Sequence, residues 1–360
     1  MGRSASFACS LVALLAAGNA PCAAQAARAP EFTLRVGYQP YYAEAWAAVI
    51  IRGLGLYKSH LPGGDQVAFS VGMRGAGVLV SALRRGDVDL AYLGLQPTLT
   101  VTQDLKQGDF RIIAVSAASS RLCNVIVARS GVPPMNSRAA LRWLAGKRIA
   151  VPAGSCADLF LADVLARAHV HPARIFDQSI DMLAASLESH AVDAVAVWEP
   201  TATELVQAHG AQRLIDGHAI DESDAAFVVA RASLLKDHPD VVAGWLAAER
   251  AAELLLARGG AETPVLERIE SREADLPISV VRAAWWGEAG GSRGSPSPAT
   301  FPFIVTPEIS GMLRGAAARM AARGLLKSPA LRAGTVDDEL ARAILARGQD
   351  PSARGAEVGR

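Results

Sequence analysis

One passage occurs twice in this chain of 360 residues: Leu79 to Thr98 reads LVSALRRGDVDLAYLGLQPT, and Leu183 to Thr201 reads LAASLESHAVDAVAVWEPT. In both, leucines recur at helical spacing (Leu79 and Leu83, Leu183 and Leu187). A Val-Asp pair (Val88-Asp89, Val192-Asp193) then opens a short apolar run, which stops at a polar residue followed by Pro-Thr. Leucines so spaced share one face of a helix, and an unbroken apolar run marks a parallel strand covered on both faces. Each copy therefore reads as a helix feeding a buried strand. Ligands of open α/β sheets bind beyond the C-terminal strand ends, so Gln96-Pro97-Thr98 and Glu199-Pro200-Thr201 fall at equivalent rims. About a hundred residues separate the copies, too many for a solenoid and suited to two α/β lobes facing each other across a cleft. Chance recurrence of helix, strand and Pro-initiated helix is the alternative.

The remaining pattern completes two such lobes. Phe32 to Gly37 alternates like a strand and leads through Tyr38-Gln39-Pro40 into a helix over Ala43 to Ile51. Val67 to Val71 is a second strand, followed by the glycine-rich rim Met73 to Gly77 and a helix from Val78 to Arg85. Arg111 to Ser116 and Cys123 to Ala128 read as further strands. Asn136 caps a helix ending near Gly146, Lys147 to Val151 is a strand, and Ser155-x-x-Asp158 is a capping box opening a helix over Leu159 to Ala168. Ala226 to Arg231 (AFVVAR) echoes Asn124 to Arg129 (NVIVAR), and the two are expected to be paired crossovers into the second lobe and back. After Arg231 the chain reads as helical, with Val242, Trp245, Ala248 and Ala252 on one face of a helix over Pro239 to Arg258. Gly290 to Pro298 is a glycine- and proline-rich loop, and Thr306-Pro307-Glu308 starts a helix reaching about Leu326. The expected fold is α/β and two-lobed, each lobe a mostly parallel sheet flanked by helices, with two crossovers and a helical C-terminal region. Its expected division is 31–118 for the first part of lobe I, 119–225 for lobe II, 226–348 for the return to lobe I, and a tail at 349–360.

Arg3, the apolar run from Phe7 to Ala17 and the small residues ending at Ala24-Gln25-Ala26 make residues 1–26 a secretory leader. Cys22 follows Asn19-Ala20-Pro21, a poor context for lipidation, so soluble export to the periplasm is expected. No later apolar stretch approaches the roughly 20 residues that span a bilayer. Loss of Arg3 with the leader leaves 35 basic residues against 35 acidic ones, a balance that argues against nucleic acid as a partner. Cys123 and Cys156 remain in the mature chain, and an oxidising compartment favours their pairing as a disulfide; two buried free thiols are the alternative.

Chemistry-bearing constellations are sparse. The close pair His169 and His171 has no third ligand nearby, and no G-x-S-x-G, H-E-x-x-H or C-x-x-C occurs. Neither catalytic residues, metal nor cofactor are expected. The rims instead carry donors and aromatic surface: Gln39, Tyr41, Tyr42, Arg74 and Gly75 on one side, then Gln96, Arg121, Ser155, Trp198 and Glu199. Helix N-termini after Gly75 and Ser155 present N–H groups suited to an anion. Each has a structural alternative: Ser155 and Asp158 as caps, Arg74 and Arg121 as solvated surface, Tyr41 and Tyr42 as core, Glu199 as a helix-terminal charge.

The chain resembles the periplasmic binding proteins of nitrate, sulfonate and taurine ABC importers. The resemblance runs from Arg35-Val36-Gly37-Tyr38-Gln39 through Gly86-Asp87-Val88-Asp89 and Gly146 to Pro152 to Trp198-Glu199-Pro200, and His238 to Val242 also fits it. It covers roughly Phe32 to Ala257. It implies a monomer whose lobes close on a small anion and deliver it to a membrane permease driven by an ATPase. Leu95-Gln96 and Cys156 stand where sulfonate and taurine binders commonly place small hydroxyl residues, which makes a sulfonate the default ligand only. Members of the fold also take thiamine precursors and aromatic acids, and the aromatic cluster at Tyr41, Tyr42 and Trp46 keeps such a ring-bearing ligand open. Pyrimidine precursor synthases share the fold, but the cysteine-rich motif on which they rely is not found.

Overall fold

The computed structural model describes residues 32–63, 66–71, 75–258, 263–286 and 299–349. The leader, Cys22, Arg74, the Gly290–Pro298 loop and most of the expected tail lie outside the described residues.

The first sheet is built from β1 (Thr33–Gly37), β2 (Gln66–Ser70), β3 (Leu90–Leu93), β4 (Phe110–Ser119) and β10 (Asp224–Arg231), in the order β2-β1-β3-β10-β4. The second takes β5 (Val125–Ala128), β6 (Arg148–Val151), β7 (Arg174–Asp177), β8 (Ala194–Val197) and β9 (Gln212–Asp216), in the order β7-β6-β8-β5-β9. The two orders superimpose when β6, β7, β8, β9 and β5 are matched to β1, β2, β3, β4 and β10. In the first sheet β1 pairs parallel with β2 and β3, whereas β10 lies antiparallel between β3 and β4. Four strands thus share one direction and the returning crossover strand opposes them. The second sheet repeats this with β5 between β8 and β9. The echoed segments NVIVAR and AFVVAR are the two opposed strands, one in each sheet.

The repeated Val-Asp has a matching physical role in both lobes. Asp89 accepts from the Arg35 backbone N–H at 3.0 Å and from Arg35 Nε at 2.9 Å. Asp193 accepts from the Arg148 N–H at 2.9 Å and from Arg148 Nε and Nη2, both at 3.1 Å. Each aspartate locks the strand after the repeated helix to a parallel neighbour in its own sheet, β1 for Asp89 and β6 for Asp193. The Asp89 carbonyl takes the Arg231 N–H at 3.2 Å and the Asp193 carbonyl takes the Arg129 N–H at 3.0 Å, which ties in the opposed strand as well. A hydrogen-bonded Arg148 holds the Asp193 carboxyl below its usual range.

Helices flank both sheets. In chain order α1 (Trp46–Leu54), α2 (Ala76–Arg85) and α3 (Leu95–Thr102) belong with the first sheet. The second carries α4 (Ser137–Trp143), α5 (Cys156–Ala168), α6 (Leu183–Glu188) and α7 (Thr201–His209). After β10 come α8 (Ala232–Asp237), α9 (Pro239–Arg258), α10 (Thr263–Ala274), α11 (Ile278–Trp286), α12 (Pro307–Ala322) and α13 (Glu339–Gln349). Asn136 and Thr306 cap α4 and α12 as the sequence implies. The expected face of α9 is buried throughout, with Val242, Trp245, Ala248 and Ala252 fully enclosed. Several boundaries shift, among them the end of α12, which stops at Ala322 short of Leu326. The 43–45 segment is a single 3-10 turn before α1, α4 stops at Trp143, and α5 starts directly after its cap at Cys156. The described C-terminal region is mainly helical and adds short bridges of Thr300, Phe303 and Val336 to β4.

Candidate functional site

The rims meet. Trp198, at the end of β8, donates from Nε1 to the Tyr41 carbonyl at 2.9 Å, and its ring packs edge-on against Tyr42 with centroids 6.4 Å apart. The Ala43 N–H reaches the Glu199 carbonyl at 3.0 Å. From the other side Gln96, in the first turn of α3, donates to Asp158 of α5 at 3.3 Å, and Arg323 pairs with the same carboxylate at 3.0 Å. Arg319 of α12 adds a pair to Asp163 of α5 at 2.8 Å. Residues from both lobes therefore interlock, and what stays between Gln39, Tyr42, Gly94, Ser155, Cys156 and Trp198 is a cavity of about 20 Å³, room for about one water molecule. A larger cavity of about 270 Å³ opens beside it, where Tyr41 faces Ile180, Thr201 and Glu204 of the second lobe and Asp275 of the first.

Of the sequence-derived residues, Gln39, Tyr41, Tyr42, Gln96, Ser155, Trp198 and Glu199 converge here and all are buried. Several bind one another. Gln39 Oε1 takes the Gly75 N–H at 3.0 Å, an approach eased by the positive φ of 107° at Gly75 that only glycine adopts without strain. The N-terminus of α2 is thus partly satisfied from within the protein. Ser155 Oγ accepts from the Asp158 N–H at 3.3 Å and donates to the Pro152 carbonyl at 2.6 Å, which makes it the cap of α5 as well as a cavity wall. Glu199 is engaged by the Thr203 N–H at 3.0 Å and by an ion pair with Arg213, so both carboxylate oxygens serve α7 and β9. Arg121 is exposed beside the first crossover, its backbone N–H held by Ser119 Oγ at 3.0 Å.

Two residues absent from the sequence reading stand behind this wall. Glu44 receives the Tyr42 hydroxyl at 2.8 Å, and the Asp224 carboxylate draws on the N–H groups of Leu95 and Ala225. Both are buried; Asp224 also has the Tyr42 hydroxyl as a side-chain neighbour, while Glu44 Oε1 and Gln96 Oε1 have no hydrogen-bond partner. Burial pushes Asp224 up to about 7 and Glu44 well above the carboxylate range, the latter reinforced by Asp224 beside it. Burial likewise raises the Tyr42 hydroxyl, with Glu44 adding to it. An acid inside the apolar run AWAAVI's approach, at Glu44, and another at the mouth of the apolar strand β10 are the sequence signals that mark them.

Cys123 and Cys156 are joined in a disulfide, with 6.6 Å between their Cα atoms. It pins the entrance of β5 to the first turn of α5. His169 and His171 join no ligand cluster among the described residues; the grouping found there is Cys123, Cys156 and Asp224, whose ligand atoms all lie within 4.8 Å of one another. No described helix is long and apolar enough to cross a membrane.

Comparison with solved structures gives the same architecture. The alkanesulfonate-binding protein SsuA from Xanthomonas axonopodis pv. citri, bound to MOPS, matches with a TM-score of 0.69 at 21% identity, over 86% of this chain and 99% of that one. The aliphatic sulphonate binding protein SsuA from Escherichia coli matches at 0.65 and 18%, over 86% and 91%. The nitrate-binding protein NrtA from Synechocystis PCC 6803 matches at 0.69 and 17%, over 90% and 91%. A search of the curated proteins finds no match. The family model of the phosphonate periplasmic substrate-binding proteins of ABC transporters matches residues 67–269, more than half of the sequence. With paired sheets, opposed crossover strands and interlocked rims, the chain belongs to this family of periplasmic substrate-binding proteins of ABC transporters.

Proposed function

We propose that this protein captures a small sulfonate-, taurine- or nitrate-like anion between its lobes and hands it to a membrane permease powered by an ATPase, without transforming it. The observation that carries this reading is the latch between Trp198 and Tyr41, which joins rims from the two lobes directly over the cavity. Support comes from the family match and from the solved relatives, whose names specify sulfonate and nitrate. The closed cavity is too small for such a solute, so capture requires the lobes to part at the crossovers, near Ser116 to Leu122 and Asp224 to Arg231, and reclose. The working division of the chain is 31–118 and 226–348 for one lobe and 119–225 for the other, with a leader at 1–26 directing a monomer to the periplasm.

Gln39, Tyr41, Tyr42, Gln96, Ser155 and Trp198 form the walls in this reading. The start of α2 at Gly75 and Arg121 supply positive potential from the rim, Arg74 is added to them on its sequence position alone, and Glu199 supports Trp198 from behind. Within the sulfonate, taurine and nitrate class, the unpartnered oxygens of Glu44 and Gln96 behind the cavity wall favour a solute that carries a hydrogen-bond donor of its own as well as its anionic group, once the lobes part to admit it. A thermal-shift screen of the mature protein against nitrate, methanesulfonate, taurine, thiamine precursors and aromatic acids tests this, because a solute bound only by the folded state raises the unfolding temperature. Taurine is expected to give the largest rise. No shift with any of the anions, together with a shift for a thiamine precursor or an aromatic acid, would overturn the assignment.

A further inference from the structure

The Cys123–Cys156 bond borders the cleft. Cys156 lines the small cavity, and a carboxylate oxygen of Asp224 lies within 4.8 Å of both sulfurs. A β-carbon built on Gly94 would meet the Tyr42 hydroxyl, Asp224 Oδ2 and Cys156 together, which locates these three groups around one glycine of the first lobe. All three ligand residues are buried, and the Tyr42 hydroxyl is the side-chain neighbour of Asp224 there. Glu44, with Oε1 unpartnered, stands beside Asp224.

We propose that reduction of this disulfide converts the site into a binding site for a thiophilic divalent cation of the Zn²⁺ type, held by Cys123 Sγ, Cys156 Sγ and the Asp224 carboxylate. Two thiolates and a carboxylate are an ordinary donor set for such an ion, with metal–sulfur bonds of about 2.3 Å and metal–oxygen bonds of about 2.0 to 2.2 Å. Those lengths place the donor atoms roughly 3.5 to 3.8 Å apart in a tetrahedral site. The Cα separation of 6.6 Å allows the freed sulfurs to part by side-chain rotation. The carboxylate, now within 4.8 Å of both sulfurs, then has at most about 1 Å to travel.

The chemistry balances with a dithiol as reductant. Its thiolate attacks one sulfur of the Cys123–Cys156 bond, the mixed disulfide resolves, and the reductant leaves as its own disulfide while two protein thiols form. The cation then displaces both thiol protons and one more from Asp224 if that carboxyl is protonated. Cys123 and Cys156 belong to the second sheet's side of the cleft and Asp224 to the returning crossover strand of the first. A bound cation therefore ties the lobes shut from within and blocks the solute. This inference does not depend on which solute the cleft takes.

Cobalt titration under anaerobic conditions tests it, with Co²⁺ standing in for Zn²⁺. The reduced wild-type protein, shown by circular dichroism to keep its fold, is expected to gain a thiolate-to-cobalt band in the near ultraviolet and tetrahedral bands in the visible, saturating at one equivalent, while the oxidised protein gains neither. Cys123→Ser together with Cys156→Ser is expected to lose the near-ultraviolet band, and Asp224→Asn to keep that band with shifted visible bands. Excess Zn²⁺ is expected to bleach the spectrum. The proposal is overturned by a folded reduced protein that shows no thiolate band, by an identical spectrum for Asp224→Asn, by a band that survives removal of both cysteines, or by loss of the fold on reduction.

Discussion

Trp198 donates its indole N–H to the backbone carbonyl of Tyr41 across the boundary between the two sheets, at 2.9 Å and shielded from water. A side chain of the second lobe thus reads the backbone of the first, so the bond exists only when the lobes are shut. Trp198→Phe keeps most of the ring packed against Tyr42 and removes this one donor. A buried hydrogen bond of this kind contributes about 0.5 to 1.5 kcal/mol. The variant is therefore expected to bind its solute several-fold more weakly, through faster release, with a smaller effect on the unfolding temperature of the free protein. Stopped-flow dissociation rates beside thermal melts check this; an unchanged release rate would show that the latch does not hold the closed state.

Asp224 and Glu44 give folding a pH dependence whose sign follows from their raised values. In the folded chain Asp224 titrates near 7, against an ordinary value of 3.8 that the unfolded chain recovers. Between these values the folded protein holds a proton that the unfolded chain releases, so stability falls as pH rises through that window and levels off above it. Glu44, raised in the same direction, and Asp163, raised by burial to about 6, act with the same sign. One group contributes a slope of at most about 1.4 kcal/mol per pH unit. Asp224→Asn is expected to flatten the curve and to stabilise the protein at pH 8 relative to wild type. Urea titrations at intervals from pH 5 to 8 read the slope, and equal slopes for both proteins would remove Asp224 from this account.

What was legible in the sequence, and what was not, divides by the kind of force involved. The repeat could be read because its parts are local: leucines on one helix face, a Val-Asp turn, then an apolar strand. The duplicated Arg-Asp locks are the physical reason that the Val-Asp is there. By contrast β7 and β9 carry charged or polar residues at both ends, and β7 is mostly exposed at the edge of its sheet, so neither shows the apolar run that marks a covered strand. Missing β9 had a consequence for Glu199. Its partner Arg213 lies on that strand, so the carboxylate read as a rim group when it is an internal ion pair. Glu44 and Asp224 could not be found by spacing, since only the closure of two distant segments around Tyr42 makes them a pair.

The rim arginines test the charge of the solute. Arg74→Ala and Arg121→Ala each remove a cation that the sequence assigns to the rim; Arg121 is exposed beside the first crossover, and Arg74 lies outside the described residues. A lost charge-assisted bond costs about 1.5 to 3 kcal/mol of binding. At least one of the two is expected to show that loss toward an anionic solute by calorimetry, weakening as salt is added. Normal affinity in both variants would mean that the solute's charge is met elsewhere.

The disulfide makes a separate prediction about stability. Its partners are 33 positions apart, so the bond closes a loop that spans β5, α4 and β6 up to the start of α5. Restricting a loop of this size in the unfolded chain contributes roughly 3 to 4 kcal/mol. The same bond holds Ser155 and its capped helix against the entrance of β5, so its loss also loosens one wall of the cavity. Thiol titration of the mature protein, denatured without reductant, is expected to find no reactive thiol, and reduction is expected to lower the urea midpoint and to weaken solute binding together. Cys123→Ala with Cys156→Ala separates the two effects from reductant chemistry. Two free thiols per unreduced chain would rule out the bond in solution, and a doubly substituted protein as stable as wild type would show that the packing of α5 on the second sheet holds that wall without it.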